Sequence, residues 1–353
     1  MRNPAIIAAV SAFALVVLLV PIVMRICARW RLYDRPGPLK IHRKPTPRLG
    51  GIAVALAVLG GSLLSTRSAT GDLPVFAAII LICAVGAIDD IRGLSVIVRL
   101  AAQISAGALL WLSCGQPAVL HSSTIGLLAA SLFTVAIVNS LNFLDGADGI
   151  ASGVAGIIAV AYGVLARSTA DHLMAAIAWA LAGSCAGFLL FNFPAPAARL
   201  FLGDCGSTSL GLCVAYFGLR FYHSPVAAGP RLFFPLMAAA LPLLDMALAT
   251  MRRIQRGASP LSGDRMHLSD LLLTRRMPAP AVALVCYGVT ALFVLTGFAA
   301  WRVKPVAFFL LATSGVGAAL AAAIRLGALQ RDTTGEAQEG RVLPGLDRSR
   351  EAS

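Results

Sequence analysis

Stretches of about 17 to 20 mostly apolar residues recur along the chain, and each is long enough to cross the hydrocarbon core of a membrane as a helix. Apolar residues make up 58% of the 353 residues, which argues against a soluble domain of this length. We therefore predict an all-α polytopic membrane protein, a bundle of about 11 transmembrane helices. The predicted spans cover residues 5–26, 50–66, 73–88, 97–113, 123–141, 151–166, 173–191, 203–221, 231–250, 281–300 and 305–324.

The positive charges predict how these helices are oriented. Arg2 precedes the first span, whereas Arg25, Arg29, Arg31 and Arg35 follow it. Cytoplasmic loops carry the excess of Lys and Arg, so we place the N-terminus outside and the C-terminus inside. Alternating spans then put most of the 29 lysines and arginines on the cytoplasmic side. Topology thus explains the net charge of +13, and no nucleic-acid partner is needed.

Before residue 327 every acidic residue is an aspartate, and most of these lie in predicted cytoplasmic loops. Short, rigid carboxylates gathered on one side suggest positioned groups. Asp171 is assigned to the outer side, where we expect substitution by Asn to have no effect. The 7 cysteines are scattered without paired metal-ligand spacing. Residues 1–326 form the predicted membrane domain, and residues 327–353 have the polar composition of a disordered cytoplasmic tail.

Amides and carboxylates alternate with apolar residues at the end of the fifth predicted span. Asn139, Asn142, Asp145 and Asp148 follow one another in steps of three, with a glycine after each carboxylate. This spacing places them along one helical face, or on a helix end that unwinds at the glycines. Such groups at the edge of the hydrocarbon need a metal, cationic partners or water. A polar interfacial loop or a helix-capping cluster is the alternative.

Two further acidic motifs end or begin apolar spans. Asp89 and Asp90 end the third span, and adjacent carboxylates need a cation or a proton, unless they only form a solvated helix end. Asp204 lies between Gly203 and Gly206, which allow close approach to a ligand. A helix starting there would direct backbone amides at an anion while Asp204 held a divalent cation. As a lone motif it is also consistent with a helix N-cap.

Basic groups complete the pattern. Lys40 and His42 lie in a proline-rich loop suited to anionic headgroups or a phosphorylated substrate, or needed only for topology. Asp245 is deep in the ninth span, and Arg252 lies two turns later on the same face, so a structural ion pair is favoured. A later loop contains Asp264, Arg265, His267 and Asp270. Together these side chains fit a diphosphate-binding site and a generic polar loop equally well.

In this order the motifs resemble those of the polyprenyl-phosphate N-acetylhexosamine-1-phosphate transferases. This bacterial glycosyltransferase family 4 includes the WecA-like enzymes and phospho-N-acetylmuramoyl-pentapeptide transferase. The matching motifs are Lys40-Ile-His42 with Pro47-Arg-Leu-Gly-Gly51; Asp89-Asp90; Asn139-x-x-Asn142-x-x-Asp145-Gly-x-Asp148-Gly; Gly203-Asp204-x-Gly-Ser207; and Asp264-Arg265-x-His267. WecA-like members often have His-x-His-His where this chain has His267-Leu-Ser269-Asp270. That departure leaves the identity of the transferred hexosamine open.

The resemblance implies transfer of an N-acetylhexosamine-1-phosphate, with GlcNAc-1-phosphate as the first choice, from its UDP-sugar to undecaprenyl phosphate, with release of UMP. It implies Mg²⁺ as cofactor, with Mn²⁺ as a substitute, bound by Asn142 and Asp204. The implied catalytic residues are Asp89, Asp90, Asp145, Asp148 and His267, and the implied substrate-binding residues are Lys40, Asn139, Arg265 and His267. Asp89 and Asp90 are the candidates for a base or nucleophile. We expect direct attack by the lipid phosphate, with a covalent aspartyl intermediate as the alternative.

The resemblance further implies a bacterial inner-membrane protein with a cytoplasmic active site, surrounded by membrane lipids and with a homodimer as an allowed assembly. UDP-MurNAc-pentapeptide or another UDP-N-acetylhexosamine is the alternative donor. The rival from another class is a transporter, because intramembrane acids also mark transport pathways. Against it, the acids gather at one face, only Asp245 is deep, and no inverted repeat is evident.

Overall fold

The computed structural model describes residues 3–34, 45–66, 73–114, 123–195, 197–224, 226, 228–259 and 267–327. These residues form a helical bundle. The helices are α1 (Pro4–Trp30), α2 (Gly50–Ser65), α3 (Leu73–Arg92), α4 (Val96–Cys114), α5 (Ser123–Leu144), α6 (Ile150–Thr169), α7 (His172–Asn192), α8 (Asp204–Tyr222), α9 (Phe234–Ala238), α10 (Ala240–Gln255), α11 (Leu268–Thr274), α12 (Ala279–Ala299) and α13 (Pro305–Arg325). A 3₁₀ helix (Gly229–Phe233) precedes α9, and β1 (Tyr33–Asp34) pairs antiparallel with β2 (Thr46–Pro47).

The described helices confirm an all-α, multi-pass membrane architecture. Within the described ranges, eight helices are long and apolar enough to cross a membrane: α1, α3 to α7, α12 and α13. The 3₁₀ helix with α9, together with α10, would make a ninth, bent by 65°. The sequence predicted eleven. Helices α2 and α8, which were also predicted to span the membrane, are not long and apolar enough. Helix α2 has only 16 residues, and α8 is rich in polar and small residues.

Helix α8 is the centre of the bundle, which explains why it needs fewer apolar residues. It packs against α2, α3, α4, α5, α6 and α7, and most of its side chains are buried by protein. Glycines make the closest of these approaches possible. A Cβ on Gly51 of α2 would lie 2.0 Å from the backbone nitrogen of Gly206, and one on Gly86 of α3 would lie 2.5 Å from Cys205 Cα. Two helices, α2 and α3, therefore converge on the first turn of α8.

The break between α9 and α10 falls between two prolines. Pro235 lies in the first turn of α9 and Pro242 in the first turn of α10. Proline has no N–H to continue the helical hydrogen bonds, so the chain turns at Ala239. The bend brings α10 alongside α5.

A polar cluster ties the bundle together at the end opposite the first turn of α8. Asp171 accepts a hydrogen bond from the backbone N–H of Met174 at the start of α7 and pairs with Arg220 of α8. Arg220 also donates to the carbonyl of Ser113 on α4, at 3.1 Å. Asp171 was expected to be an inert outer residue. The structure shows that it is not a free surface group, because its carboxylate both caps a helix and pairs with a cation.

Candidate active site

The C-terminal ends of α3 and α5 and the N-terminal ends of α4 and α8 meet at one end of the bundle. The amide Nδ2 of Asn142 donates to Asp204 Oδ1 and to Ser207 Oγ, both at 2.9 Å. The expected proximity of Asn142 and Asp204 is therefore confirmed. These residues are 62 positions apart in the chain, and the contact joins the end of α5 to the start of α8.

Asp90 occupies the place at the start of α8 that the sequence assigned to a substrate anion. Its two carboxylate oxygens accept hydrogen bonds from the backbone N–H groups of Asp204 and Cys205, at 3.0 and 3.1 Å. The helix end thus already holds an anion from the protein itself. Gly203 has φ +74°, and a Cβ there would lie 2.7 Å from Asp90 Oδ2. Glycine is required at 203 for both reasons, and Gly203 takes the N-cap position considered for Asp204.

Asp89 faces a different set of partners. One oxygen accepts from the backbone N–H of Leu94, and the other lies 3.2 Å from Arg99 Nη1. The same guanidinium nitrogen lies 4.0 Å from Asp204 Oδ2. Arg99 was not predicted from the sequence as a site residue. The sequence pattern that could have indicated it is a pair of long polar residues, Arg99 and Gln103, one turn apart in an otherwise apolar span.

Asp145 and Asp148 lie in the turn between α5 and α6, and both are half-buried. Burial raises the pKa of Asp145 well above its usual range, and the carboxylates of Asp204, Asp148 and Asp90 raise this pKa further. Asn192, a buried residue that was not predicted from the sequence, stabilises this turn through two hydrogen bonds. Its Oδ1 accepts from the Gly149 N–H at 2.9 Å, while its Nδ2 donates to the Leu200 carbonyl at 3.0 Å.

His267 is held by Asp245. The ring nitrogen Nδ1 donates to Asp245 Oδ2 at 2.8 Å, and the Leu268 N–H donates to Oδ1 at 2.7 Å. The sequence favoured an ion pair between Asp245 and Arg252. That prediction is corrected, because both oxygens of this carboxylate bind the start of α11. The His267 ring meets Phe143 edge-on, with 5.6 Å between ring centroids, which places it beside the Asn142 motif.

Asp270 has a structural role at a position where WecA-like relatives often carry histidine. Its Oδ2 accepts a hydrogen bond from the backbone N–H of His267 at 3.3 Å. It therefore forms half of a capping box at the start of α11. The side chain stabilises the helix that begins at His267.

A cavity of about 340 Å³ runs inward from these polar groups, bounded by α3, α4, α5, α8 and α10. Asp89, Arg99, Asn142 and Asp204 line its polar end. Its other walls are largely apolar, formed by residues that include Ile82, Val85, Leu100, Leu132 and Val135. Asn139 and Gln103 also line it, and Asn139 Nδ2 donates to Gln103 Oε1 at 2.6 Å.

Two predicted site residues, Lys40 and Arg265, lie outside the described residues, as do His42 and Asp264. The other predicted residues fall into three groups. Asp89, Asn139, Asn142 and Asp204 line the cavity, and Asp90 lies behind Asp204. Asp145 and Asp148 follow on the turn after α5, and His267 joins the site through Phe143.

The side chains at the polar end fit a magnesium ion. Among the described residues, no group of three or more His, Cys, Asp or Glu side chains could by itself hold a metal ion. Mg²⁺ often takes only one or two protein carboxylates, and substrate phosphates and water complete its octahedron. Asn142 and Asp204 would supply such a partial set. Burial and the neighbouring carboxylates, which together raise the pKa of Asp145, also favour a cation nearby.

Comparisons with known proteins identify the family of this chain. The model of the family "Glycosyl transferase family 4" matches residues 73–222. Decaprenyl-phosphate N-acetylglucosaminephosphotransferase of Mycobacterium tuberculosis (strain ATCC 25618 / H37Rv) is 35% identical over 297 residues, covering 71% of each chain. The probable undecaprenyl-phosphate N-acetylglucosaminyl 1-phosphate transferase of Bacillus subtilis (strain 168) is 28% identical over 301 residues, covering 82% of each. The undecaprenyl-phosphate alpha-N-acetylglucosaminyl 1-phosphate transferase of Escherichia coli (strain K12) is 27% identical over 291 residues, covering 75% of each. The chain belongs to glycosyl transferase family 4, among the membrane-bound polyprenyl-phosphate sugar-phosphate transferases.

Proposed function

We propose that this protein transfers GlcNAc-1-phosphate from UDP-GlcNAc to undecaprenyl phosphate, releases UMP and so starts a cell-envelope polysaccharide. The observation that carries the proposal is the composition of the cavity. A polar end with Asp89, Arg99, Asn142 and Asp204 continues into apolar walls between membrane helices. A water-soluble nucleotide sugar and a membrane lipid phosphate would meet at such a boundary. The names of the relatives support GlcNAc as the sugar.

In the proposed step, an oxygen of the lipid phosphate attacks the β-phosphorus of UDP-GlcNAc, which carries the sugar. A new P–O bond forms, the bond to the oxygen bridging the two phosphorus atoms breaks, and UMP leaves with that oxygen and the electron pair. The second pKa of a phosphate monoester is about 6, so the attacking group is mostly ionised at pH 7. Catalysis then depends on positioning and charge neutralisation more than on a strong base.

The contacts of the aspartate pair favour direct attack over a covalent aspartyl intermediate. Both oxygens of Asp90 accept backbone hydrogen bonds, and Asp89 binds Arg99 and the Leu94 N–H. These hydrogen bonds hold both carboxylates in place and lower their nucleophilicity. We assign Asp90 to holding the first turn of α8, and Asp89 to orienting Arg99. A guanidinium has five N–H donors, so Arg99 can bind Asp89 and a lipid phosphate together.

Asn142 and Asp204 would hold Mg²⁺, which supplies positive charge to offset that of the diphosphate. Asp145 and Asp148 would position the nucleotide or the metal from the adjoining turn. His267 would contact the diphosphate or sugar, with Asp245 fixing which ring nitrogen carries the proton. Because Nδ1 donates to Asp245, the other ring nitrogen faces away from that carboxylate.

The test is transfer by the purified protein. Incubation with radiolabelled UDP-GlcNAc, undecaprenyl phosphate and Mg²⁺ should give lipid-linked sugar and UMP in equal amounts, and a chelator should stop both. UDP-GalNAc and UDP-MurNAc-pentapeptide, assayed in parallel, decide the donor. Product from neither UDP-GlcNAc nor any other UDP-hexosamine would overturn the proposal.

A further inference from the structure

Gln103 carries a hydrogen-bond donor whose orientation is fixed by its neighbours. Asn139 Nδ2 donates to the Val135 carbonyl at 2.8 Å and to Gln103 Oε1 at 2.6 Å. A carbonyl oxygen can only accept, so the bond to Val135 fixes which end of the Asn139 amide is nitrogen. Since that nitrogen donates to Gln103, the oxygen of the Gln103 amide must face it. The orientation of both amides follows from the backbone.

The Nε2 group of Gln103 then has two N–H bonds and no hydrogen-bond partner among the described residues. Gln103 is only 4% exposed, yet it lines the cavity. The Nε2 nitrogen is not among the fully enclosed side-chain atoms that lack a partner, so its N–H bonds are open to the cavity. An acceptor atom of a ligand in the cavity would take these hydrogen bonds in place of water.

The depth of Gln103 indicates which ligand. Gln103 lies four residues after Arg99 on α4, about 6 Å deeper along the helix. Ile82, on the apolar wall, lies seven residues before Asp89 on α3, about 10 Å deeper than the polar end. The Gln103 amide thus lies between charged groups on one side and apolar side chains on the other. A hydroxyl-rich sugar does not match that gradient, whereas a phosphate attached to a hydrocarbon chain does.

We propose that Gln103 binds the phosphate of the acceptor lipid, that its Nε2 donates to a phosphate or ester oxygen, and that Asn139 positions it. This inference rests on the function proposed above and identifies which of the two substrates occupies the inner part of the cavity. A neutral donor suits this depth, because a second buried cation would be costlier to place among apolar side chains. Asn139, predicted from the sequence to bind substrate, takes the role of a positioning residue.

The test compares substitutions that separate the donor from the Gln103–Asn139 contact. Gln103→Glu keeps an oxygen to accept from Asn139 but replaces the N–H donor with an oxygen, and Gln103→Met removes both. Gln103→Met carries no donor at any pH, so it controls for protonation of the new glutamate, whose pKa burial would raise. The control is Gln255→Glu, an exposed change at the end of α10 that adds the same charge.

We expect Gln103→Glu to raise KM for undecaprenyl phosphate roughly ten- to a hundredfold, as for loss of a hydrogen bond to a charged group. KM for the UDP-sugar should stay within about twofold, and Gln255→Glu should change neither value. Gln103→Met should raise the same lipid KM. An unchanged lipid KM, or a rise confined to the UDP-sugar, would overturn the assignment, because a purely structural amide pair is preserved in Gln103→Glu.

A binding measurement keeps the inference testable if a variant folds poorly. Undecaprenyl phosphate should raise the Tm of the wild-type protein more than undecaprenol does, and Gln103→Met or Gln103→Glu should reduce the difference, with Arg99 accounting for what remains. Equal shifts with the phosphate and the alcohol would contradict phosphate binding. Failure of the proposed function would look different, since the wild-type protein would then make no lipid-linked sugar.

Discussion

At the scale of single residues, neighbouring acids differ sharply in what their side chains contact. Asp204 uses one oxygen for Asn142, and its other oxygen lies 4.0 Å from Arg99. Asp90 has both oxygens on backbone amides behind that site. We therefore assign Asp204 to the proposed reaction and Asp90 to the framework that holds Asp204.

Asp204→Asn should reduce UMP release at least about a hundredfold, because the metal-held diphosphate loses several kcal/mol of charge stabilisation and each 1.4 kcal/mol is about tenfold in rate. The fold should persist, since Asp90 binds the backbone of residue 204 and not its side chain. Rates and Tm measured together check this.

Asp171→Asn is the matched control: it should lower Tm through the lost pair with Arg220 and leave the rate of the folded protein unchanged. A wild-type rate in Asp204→Asn would contradict the metal assignment.

Asp90→Asn should behave differently from a nucleophile knockout. The new amide would point an N–H at one of the two backbone N–H groups, so an acceptor is lost and a donor is left unsatisfied, at about 1–3 kcal/mol. We expect a lower Tm together with a lower rate. No phosphorylated or sugar-linked intermediate should be trapped on the wild-type protein at Asp90. A variant with unchanged Tm and no activity would instead favour a covalent role.

The sequence predicted which residues lie together more accurately than it predicted the role of each residue. Asn142 and Asp204 were expected together because the family resemblance implies that both bind magnesium, and the predicted topology places both on the cytoplasmic side. The roles of Asp90 and Asp245 were missed, because all but one of their partners are backbone N–H groups, those of Asp204, Cys205 and Leu268. The remaining partner is the His267 ring, which binds Asp245. Backbone partners have no residue-type signal in a sequence and appear only when the helices are packed.

At the scale of helices, the site depends on how closely α2 and α3 approach the first turn of α8. The backbones meet where glycines face one another, and Asp204 is the first residue of that turn. A shift of α8 along its axis would move Asp204 away from both Asn142 and Asp90. Packing and chemistry are therefore coupled at this one turn.

Gly86→Ala should disrupt this packing, because the new Cβ would meet backbone atoms of Cys205 at 2.5 Å. Overpacking of this kind typically costs about 1–3 kcal/mol, and backbone atoms cannot rotate away. We expect a lower Tm and a lower yield of folded protein. Gly288→Ala in α12 is the matched control: nothing lies within 4 Å of its new Cβ, so it should be neutral or slightly stabilising. Equal Tm values for the two variants would contradict the close approach.

At the scale of the whole molecule, we propose eleven spans, with the N-terminus outside and the active site cytoplasmic. This count requires α2 and α8 to cross the membrane within the protein and the bent pair to cross once. Long apolar runs made the eight clear helices predictable. The remaining crossings were harder to predict, because a helix surrounded by protein need not be apolar on every face, and α8 is such a helix.

Cysteine labelling in intact cells checks this topology. Ala228→Cys, just after α8, and Arg302→Cys, between α12 and α13, should react with a membrane-impermeant reagent from outside. Ala258→Cys, after α10, should react only once the membrane is permeabilised. All three positions are exposed, and the native cysteines Cys27, Cys114, Cys185, Cys205, Cys213 and Cys286 are buried. Labelling of Ala228→Cys only from inside would remove α8 as a crossing.

The carboxylate of Asp90 on the first turn of α8 has a consequence for substrate exchange. A helix start with open amides attracts any phosphate and retains it, but here that attraction is already neutralised by a group that never dissociates. The affinity of the site for a diphosphate must then come from partners whose supply can change, namely the proposed cation and Arg99. UMP should accordingly leave faster when free Mg²⁺ is low, and inorganic phosphate should be a poor competitor.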